Sequence, residues 1–415
     1  MTNQTPGTTT SRLLNAAVLV GALGYFVDIF DLLLFSILRI KSLQDLGVPP
    51  DQIKSVGVFL LNMQMGGMLA GGILWGVLGD KKGRISVLFG SIFLYSVANI
   101  ANAFVHDTST YGLLRFLSGV GLAGELGAAI TLVSELMTQE KRGYGTAIVA
   151  SIGVCGALVG ATLGKNVDWR HCYMIGGGLG LLLLVLRMSV AESKMFSTVH
   201  TNSGVSKGNF FALFTSRERF IRYLCCILIG TPIWYVIGIL VTFSPELAKD
   251  LGVTGPVSSA DAVFYSYLGF AFGDIGSGAL SQYLKSRRKA VAAFLVLTGA
   301  FILLYLFSRG VSPSTFLFIC FLLGCAAGYW AVFITIGAEQ FGTNLRATVA
   351  TTCPNFVRGM VLPITQAYVM LEVRIGNVHS ALVVGMVCVL IGFLALLGLK
   401  ETFGKDLDYA ETFTS

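Results

Sequence analysis

The 415-residue sequence is 54% hydrophobic and only 12% charged, and its formal net charge is +7. Soluble globular domains carry about 25% charged residues, so this composition excludes that class of protein. The basic balance requires no nucleic acid as a partner, because basic loops on one side of a membrane produce the same excess. The 50 glycines are typical of membrane helices that approach one another through small residues. The composition therefore predicts an all-α integral membrane protein.

Long apolar segments recur along the chain, each bounded by Gly, Pro or charged residues. At about 20 residues per membrane span, these segments predict twelve transmembrane helices. Their predicted ranges are 14–38, 53–79, 85–105, 111–136, 142–165, 171–190, 221–247, 260–284, 289–308, 313–338, 345–371 and 377–399.

The longest polar interval separates the sixth predicted helix from the seventh. It divides the chain into a six-helix half at 1–190, a cytoplasmic linker at 191–220 and a second six-helix half with a short cytoplasmic tail at 221–415. With the N-terminus in the cytoplasm, 18 Lys and Arg residues fall on the inner side and 8 on the outer side. Because basic residues concentrate in cytoplasmic loops, we predict a multi-pass plasma-membrane protein, in the inner membrane if its source is bacterial, with both termini cytoplasmic.

An internal repeat supports two related halves. The offset of 204 residues that carries Glu135 onto Glu339 also carries Arg142 onto Arg346. Each of these pairs follows the fourth helix of its half. Parallel halves of six helices, related by an axis along the membrane normal, are one known arrangement of transporters.

Three short motifs accompany this repeat. GVLGDKKGR (Gly76 to Arg84) lies between the second and third predicted helices, RFLSGVGLAGE (Arg115 to Glu125) lies in the fourth, and AEQFGTNLRAT (Ala338 to Thr348) leads into the eleventh. Together they resemble the major facilitator superfamily, and within it the branch of metabolite:proton symporters and organic-ion transporters. That branch usually carries Pro at the exit of helix ten, where this chain has Gly342.

The resemblance implies a conformational latch at the cytoplasmic helix ends. Asp80 can cap the N-terminus of helix eleven, and Arg84 can pair with Glu135 or with the region of Arg142. A basic loop that only sets the topology is the alternative. The predicted latch residues are Gly76, Asp80, Gly83, Arg84, Glu135, Arg142, Glu339 and Arg346.

Charged residues within predicted helices are candidates for proton coupling, because a charge in hydrocarbon costs at least about 2.5 kcal/mol. Asp28 and Asp31 share one face of helix one. At 1.5 Å per residue they lie about 15 and about 10 Å from its outer end, and Arg115 lies about 7 Å from the outer end of helix four. We predict that Arg115 pairs with one of these carboxylates, preferably Asp28, and that protonation weakens the pair; a static ion pair is the alternative. Glu125 is a second candidate proton carrier or a support for the latch.

The predicted substrate site centres on Arg358 in helix eleven. It resembles the helix-eleven Arg of organic-anion carriers, which faces substrate in that family; neutralisation of Asp274 or another acid is the alternative. Aromatic pairs at 234–235 and 329–330 lie in helices that line the family's cavity. Adjacent helical residues point about 100° apart, so one of each pair can face a solute, although packing against lipid or helices is the alternative. The predicted substrate-binding residues are Arg358, Tyr25, Trp234, Tyr235, Tyr329, Trp330, Asn355 and Asp274.

These features predict a secondary active transporter, and not an enzyme, that moves a small polar or anionic organic solute with protons as two halves rock. A proton-coupled drug or metabolite efflux antiporter and a transporter-like receptor that does not translocate are the alternatives. The expected partners are a small molecule and the lipid bilayer, without nucleic acid, and the chain is expected to act as a monomer. Protons are the expected coupling ion, with no other cofactor and no metal.

Overall fold

The computed structural model describes residues 6–82, 84–125, 139–191, 210–404 and 411. Helices joined by short connections account for this part of the chain, and no strand occurs within it. The fold is therefore the all-α class expected from the composition. The predicted linker at 191–220 lies mostly outside the described residues.

The described residues before position 192 form six helices. They are α1 (Pro6–Asp45), α2 (Ile53–Lys82), α3 (Arg84–Asn102), α4 (Thr108–Leu122), α5 (Gln139–Asn166) and α6 (Trp169–Ala191). Asp107 begins α4 as an N-cap, because its carboxylate accepts a 2.8 Å hydrogen bond from the backbone N–H of Thr110. The predicted fourth helix, 111–136, is described only as far as residue 125.

After position 209 the chain is divided into shorter elements. They are a 3₁₀ turn (Phe210–Leu213), α7 (Arg217–Leu228), α8 (Thr231–Tyr235), a π-helical segment (Val236–Val241), α9 (Ser244–Asp250), α10 (Ser259–Tyr283), α11 (Arg287–Phe307), α12 (Pro313–Ala327), α13 (Trp330–Glu339), α14 (Thr343–Gly359), α15 (Val361–Ile375) and α16 (Asn377–Leu397).

Three predicted helices, 221–247, 313–338 and 345–371, are thus interrupted rather than continuous. The first breaks before Pro232, which has no backbone N–H to donate within a helix. The second breaks at Gly328, which has a non-helical backbone. The third breaks at Met360, six residues beyond Pro354, which lies inside α14. Breaks of this kind in membrane helices commonly lie at binding sites.

Eight helical segments of the described residues are long and apolar enough to cross a membrane. They are Leu19–Asp45, Ile53–Leu78, Trp169–Met188, Arg217–Val241, Arg287–Phe307, Pro313–Glu339, Asn344–Ile375 and Asn377–Leu397. The apolar part of α3 is shorter, at Val87–Asn102. The 25-residue α10 is long enough but carries two Asp residues and several Ser and Gly residues.

Helix packing brings the two predicted halves into contact. Within the halves, α1 packs against α5, α2 against α4, and α10 against α12. Between them, α2 packs against α14, α5 against α10, and α1 against α10. Residues of α1, α10 and α14 can therefore meet in the interior.

Candidate functional site

An ion pair joins α1 to α14 in the interior. Arg358 Nη2 lies 3.2 Å from Asp28 Oδ2, and the two side chains are 1% and 0% exposed. Asp28 lies 17 positions before Asp45, the last residue of α1, and Arg358 lies 17 positions before Ile375, the last residue of α15, which follows α14 after one residue. At 1.5 Å per residue, both distances are about 26 Å. The two charges are therefore at the same depth along the bundle, in its interior.

This pairing corrects the prediction that Asp28 pairs with Arg115. The prediction placed the outer end of the first helix near residue 38, whereas α1 continues to Asp45. Arg115 lies seven residues into α4, about 11 Å from its start. Asp28 is therefore too deep to meet Arg115.

Two tryptophans flank the guanidinium group of Arg358. Its Cζ lies 5.6 Å from the ring centroid of Trp234 and 5.9 Å from that of Trp330. The two indole rings are 6.2 Å apart and nearly perpendicular. Trp330 also stacks on Phe333, with centroids 5.0 Å apart. Cation–π attraction favours this arrangement, which gives the ion pair an aromatic wall.

Trp234 and Trp330 each have a tyrosine as their neighbour in the sequence. These two tyrosines, Tyr235 and Tyr329, pack away from Arg358. The Tyr235 hydroxyl donates a hydrogen bond to the carbonyl of Ala381, and the Tyr329 hydroxyl donates one of 2.9 Å to the carbonyl of Ile229. Both side chains are fully buried. Tyr235 and Tyr329 therefore join helices, and only the tryptophans lie beside Arg358.

Several buried polar atoms around this ion pair have no hydrogen-bond partner in the described part of the chain. They are Nε and Nη1 of Arg358, Oδ1 of Asp28 and the indole Nε1 of Trp234. Buried polar groups are usually hydrogen-bonded, since leaving one unpaired costs about 1–3 kcal/mol. The unused donors of Arg358 and Trp234 suit an anionic ligand.

Asp274 belongs to α10, and its side chain contacts the start of α13 rather than Arg358. Its Oδ1 accepts a 2.8 Å hydrogen bond from the backbone N–H of Ala331. In the described structure Arg358 pairs with Asp28, the other acid that the alternative allowed, and not with Asp274.

Tyr25 and Asn355 connect the two predicted halves near the ion pair. Tyr25 lies close enough to Trp330 and Arg358 to interact with both. Asn355 donates a 2.8 Å hydrogen bond from Nδ2 to the carbonyl of Ala123. Tyr25 therefore lies at the site, whereas Asn355 joins α14 to the end of α4.

Asp31 and Arg115 lie in a second polar cluster. The Asp31 side chain is fully buried. Arg115 is the cation that interacts most strongly with its carboxylate, and the Asn99 side chain lies beside it. Arg115 donates 2.9 Å hydrogen bonds to the Tyr173 hydroxyl and to Ser118 Oγ. The guanidinium group is thus held mainly by neutral acceptors.

Glu125 forms a buried ion pair with Arg187 of α6. Their side chains are 0% and 8% exposed. A Cβ atom at Gly24 would overlap both charged groups. The pair therefore depends on glycine at that position of α1.

The predicted latch is only partly described. A Cβ atom at Gly76 would lie 3.3 Å from Thr352 Cγ2, so α2 and α14 are in close contact there. Glu339 pairs with Arg287 at 3.4 Å and accepts a 2.6 Å hydrogen bond from Thr402. Arg346 lies in the first turn of α14. Gly83 and Glu135, and the side chains of Asp80, Arg84 and Arg142, lie outside the described residues.

Three further ion pairs join the predicted halves at the other end of the bundle, which the basic-residue bias predicts to be extracellular. Each links the end or start of a helix in one half to a helix end in the other. The pairs are Arg39–Glu246 at 2.7 Å, Lys54–Glu372 at 2.6 Å and Lys165–Asp261 at 2.9 Å. Together they hold this end closed.

The sequence prediction missed Arg187 and Tyr173 as functional side chains. Arg187 lies near the inner end of the predicted helix 171–190, and its charge could have marked it as a partner for Glu125. Tyr173 carried no comparable signal, because a tyrosine near a helix end is common in membrane proteins.

Comparisons with known proteins identify a family. The family model of the Major Facilitator Superfamily matches residues 21–353. The chain is 28% identical to the 3-(3-hydroxy-phenyl)propionate transporter of Escherichia coli (strain K12), over 69% of this chain and 72% of that protein. It is 25% identical to the niacin transporter NiaP of Acinetobacter baylyi, over 94% of each chain. It is 26% identical to the 4-hydroxybenzoate transporter PcaK of Pseudomonas putida, over 68% of this chain and 70% of that protein.

Proposed function

Because the chain belongs to the Major Facilitator Superfamily, a family of membrane transporters and not of enzymes, we propose that it carries a small ring-containing organic acid across the membrane. In this proposal Arg358 binds the carboxylate of the substrate. The observation that carries it is the buried Arg358–Asp28 pair, which leaves Nε and Nη1 of the guanidinium group without a hydrogen-bond partner among the described residues.

The geometry around Arg358 suits a carboxylate attached to a ring. A guanidinium group presents donors in a planar fork that matches a carboxylate in a bidentate arrangement. Trp234 and Trp330 offer indole faces on which a flat ring can stack. The relatives are named as transporters of 3-(3-hydroxyphenyl)propionate, niacin and 4-hydroxybenzoate. Each of these solutes is a carboxylic acid with an aromatic ring, which supports the same class here.

Charge balance around Arg358 supports proton symport. When a substrate carboxylate joins Asp28 on one guanidinium group, one negative charge is left without a partner in a buried site. An uncompensated buried charge costs several kcal/mol. Protonation of Asp28 removes that charge, so one proton and one acid anion would travel together.

The ion pairs at the predicted extracellular end support alternating access by movement of one half against the other. For the site to open outward, the contacts Arg39–Glu246, Lys54–Glu372 and Lys165–Asp261 have to separate. In this proposal the three ion pairs belong to a state closed at that end, which alternates with a state in which these six residues lie apart.

A binding comparison tests the substrate class. Thermal unfolding of the purified protein is measured with benzoate, with its neutral analogue benzamide, and with cyclohexanecarboxylate. We expect benzoate to raise the melting temperature most, cyclohexanecarboxylate less, and benzamide not at all. Equal effects of benzoate and benzamide would contradict carboxylate recognition, and the absence of any effect from either acid would contradict the proposed class.

Uptake into liposomes then tests the role of Arg358. Radiolabelled benzoate should accumulate when the outside is more acidic than the inside, whereas loss of preloaded benzoate would indicate an antiporter. Arg358→Lys should raise the KM by about tenfold, or about 1.4 kcal/mol, because an ammonium group cannot form the bidentate contact. Arg374→Lys is the matched control, since Arg374 is exposed at the end of α15.

A further inference from the structure

The start of α13 depends on a side chain from another helix. α12 ends at Ala327, and α13 begins at Trp330 after the break at Gly328. The first N–H groups of a helix have no partner within it. Asp274 of α10 accepts a 2.8 Å hydrogen bond from the backbone N–H of Ala331, the second residue of α13.

Backbone contact between α10 and this break brings Asp274 into place. A Cβ atom at Gly273 would overlap the carbonyl oxygen of Cys325 and would lie 2.9 Å from the Cα of Gly328. A negative charge beside a helix N-terminus is stabilised by the helix dipole. Among the described residues, the Asp274 carboxylate is thus held by a backbone N–H group at the start of α13 and forms no ion pair.

The same break fixes the position of Trp330. Its indole ring lies 5.9 Å from Arg358 Cζ and 6.2 Å from the ring of Trp234. Because Trp330 is the first residue of α13, a change in how that helix starts would move its ring relative to Arg358.

We propose that Asp274 is a positioning residue that sets the affinity for the ring of the substrate by holding Trp330 beside Arg358. This inference rests on the proposed function, in which the acid binds at Arg358 and its ring contacts Trp330. Asp274 is not a direct ligand, since a carboxylate repels an anionic acid.

A measurement without substrate tests the positioning. In the variant Trp75→Phe/Trp169→Phe/Trp234→Phe, Trp330 is the only tryptophan. Asp274→Ala in this background should make Trp330 fluorescence more accessible to acrylamide quenching, and Asp274→Asn should leave it unchanged because the amide oxygen still accepts the hydrogen bond. Unchanged quenching in Asp274→Ala would overturn the inference, whether or not any organic acid binds.

Affinity in the protein with all four tryptophans tests the consequence. Asp274→Ala should weaken benzoate binding by about tenfold and cyclohexanecarboxylate binding by less, while Asp274→Asn should stay within about twofold of the parent. Ser312→Ala is the matched control, because Ser312 caps the preceding helix α12 through the N–H of Thr315 and should leave both affinities unchanged. Equal losses in Asp274→Asn and Asp274→Ala would overturn the inference and show that the charge is required.

These results separate the inference from the proposed function. If neither acid binds the parent protein, the proposed function fails and the quenching experiment still decides the position of Trp330. If both acids bind the parent and Asp274→Ala binds them unchanged, the positioning role fails and the proposed function stands.

Discussion

Arg39 of α1 and Glu246 of α9 form a 2.7 Å ion pair that joins the two predicted halves, with the Arg39 side chain fully buried and Glu246 22% exposed. Arg39 also donates a 3.2 Å hydrogen bond to the carbonyl of Thr242 and lies 4.6 Å from the ring centroid of Phe243. The pair Lys165–Asp261 at the same end is more exposed, at 58% and 28%. These two cross-half pairs should therefore differ in their contribution to stability.

Glu246→Gln should destabilise the closed state more than Asp261→Asn does. Removing one partner of a fully buried ion pair costs about 3–5 kcal/mol, and the partial exposure of Glu246 reduces the expected loss to about 2 kcal/mol. An exposed pair contributes about 0–1 kcal/mol. Thermal unfolding of both variants in detergent measures the difference, and equal melting temperatures would contradict it.

Gly24→Ala should abolish the Glu125–Arg187 ion pair. A Cβ atom at Gly24 would overlap both charged groups, whereas one at Gly21 would meet no atom within 4 Å. Alanine is favoured over glycine in a helix by about 1 kcal/mol, so Gly21→Ala should fold and transport normally. We expect Gly24→Ala to unfold at a lower temperature and to lose most of its uptake of benzoate. Normal stability in Gly24→Ala would show that the pair can shift without cost.

Much of the fold could be predicted from the sequence, because apolar length and basic-residue bias act locally. Two of the three helix breaks could not be located in this way, whereas the first coincides with Pro232. Gly328 resembles the other glycines of apolar helices, and only its contact with Gly273 of α10 shows why the chain bends there. Pro354 carried the expected signal for a break, yet it lies inside α14.

The sequence marks Asp28, Arg358 and the two tryptophans as candidates, but it does not show which of these side chains meet. Counting positions along single helices gives depth only if the helix ends are known, and α1 continues to Asp45 beyond the expected end. This difference moves Asp28 from the level of Arg115 to that of Arg358. Which member of each aromatic pair faces the site also depends on contacts with other helices, such as the hydrogen bond from Tyr235 to Ala381.

The two aromatic residues at the start of α13 should respond differently to substitution. Tyr329→Phe removes a 2.9 Å hydrogen bond to the carbonyl of Ile229 and should cost about 1 kcal/mol of stability without changing affinity for benzoate. Trp330→Phe removes the larger ring beside Arg358 and should weaken benzoate binding about threefold to tenfold. The measurement is the dissociation constant from thermal-shift titrations. A larger affinity loss in Tyr329→Phe than in Trp330→Phe would contradict this assignment.

Asp28→Asn should uncouple transport from the proton gradient. The variant removes both the ion pair with Arg358 and the group that would carry the proton, so the guanidinium group becomes fully available to the substrate carboxylate. We therefore expect tighter benzoate binding, loss of accumulation driven by an inward proton gradient, and retention of benzoate exchange between equal concentrations. Asp31→Asn is the comparison variant, since Asp31 lies beside Arg115 and Asn99 and not at Arg358; it should keep gradient-driven accumulation. Equal loss of exchange and accumulation in Asp28→Asn would indicate a purely structural ion pair, and loss of coupling in Asp31→Asn alone would assign the proton to Asp31.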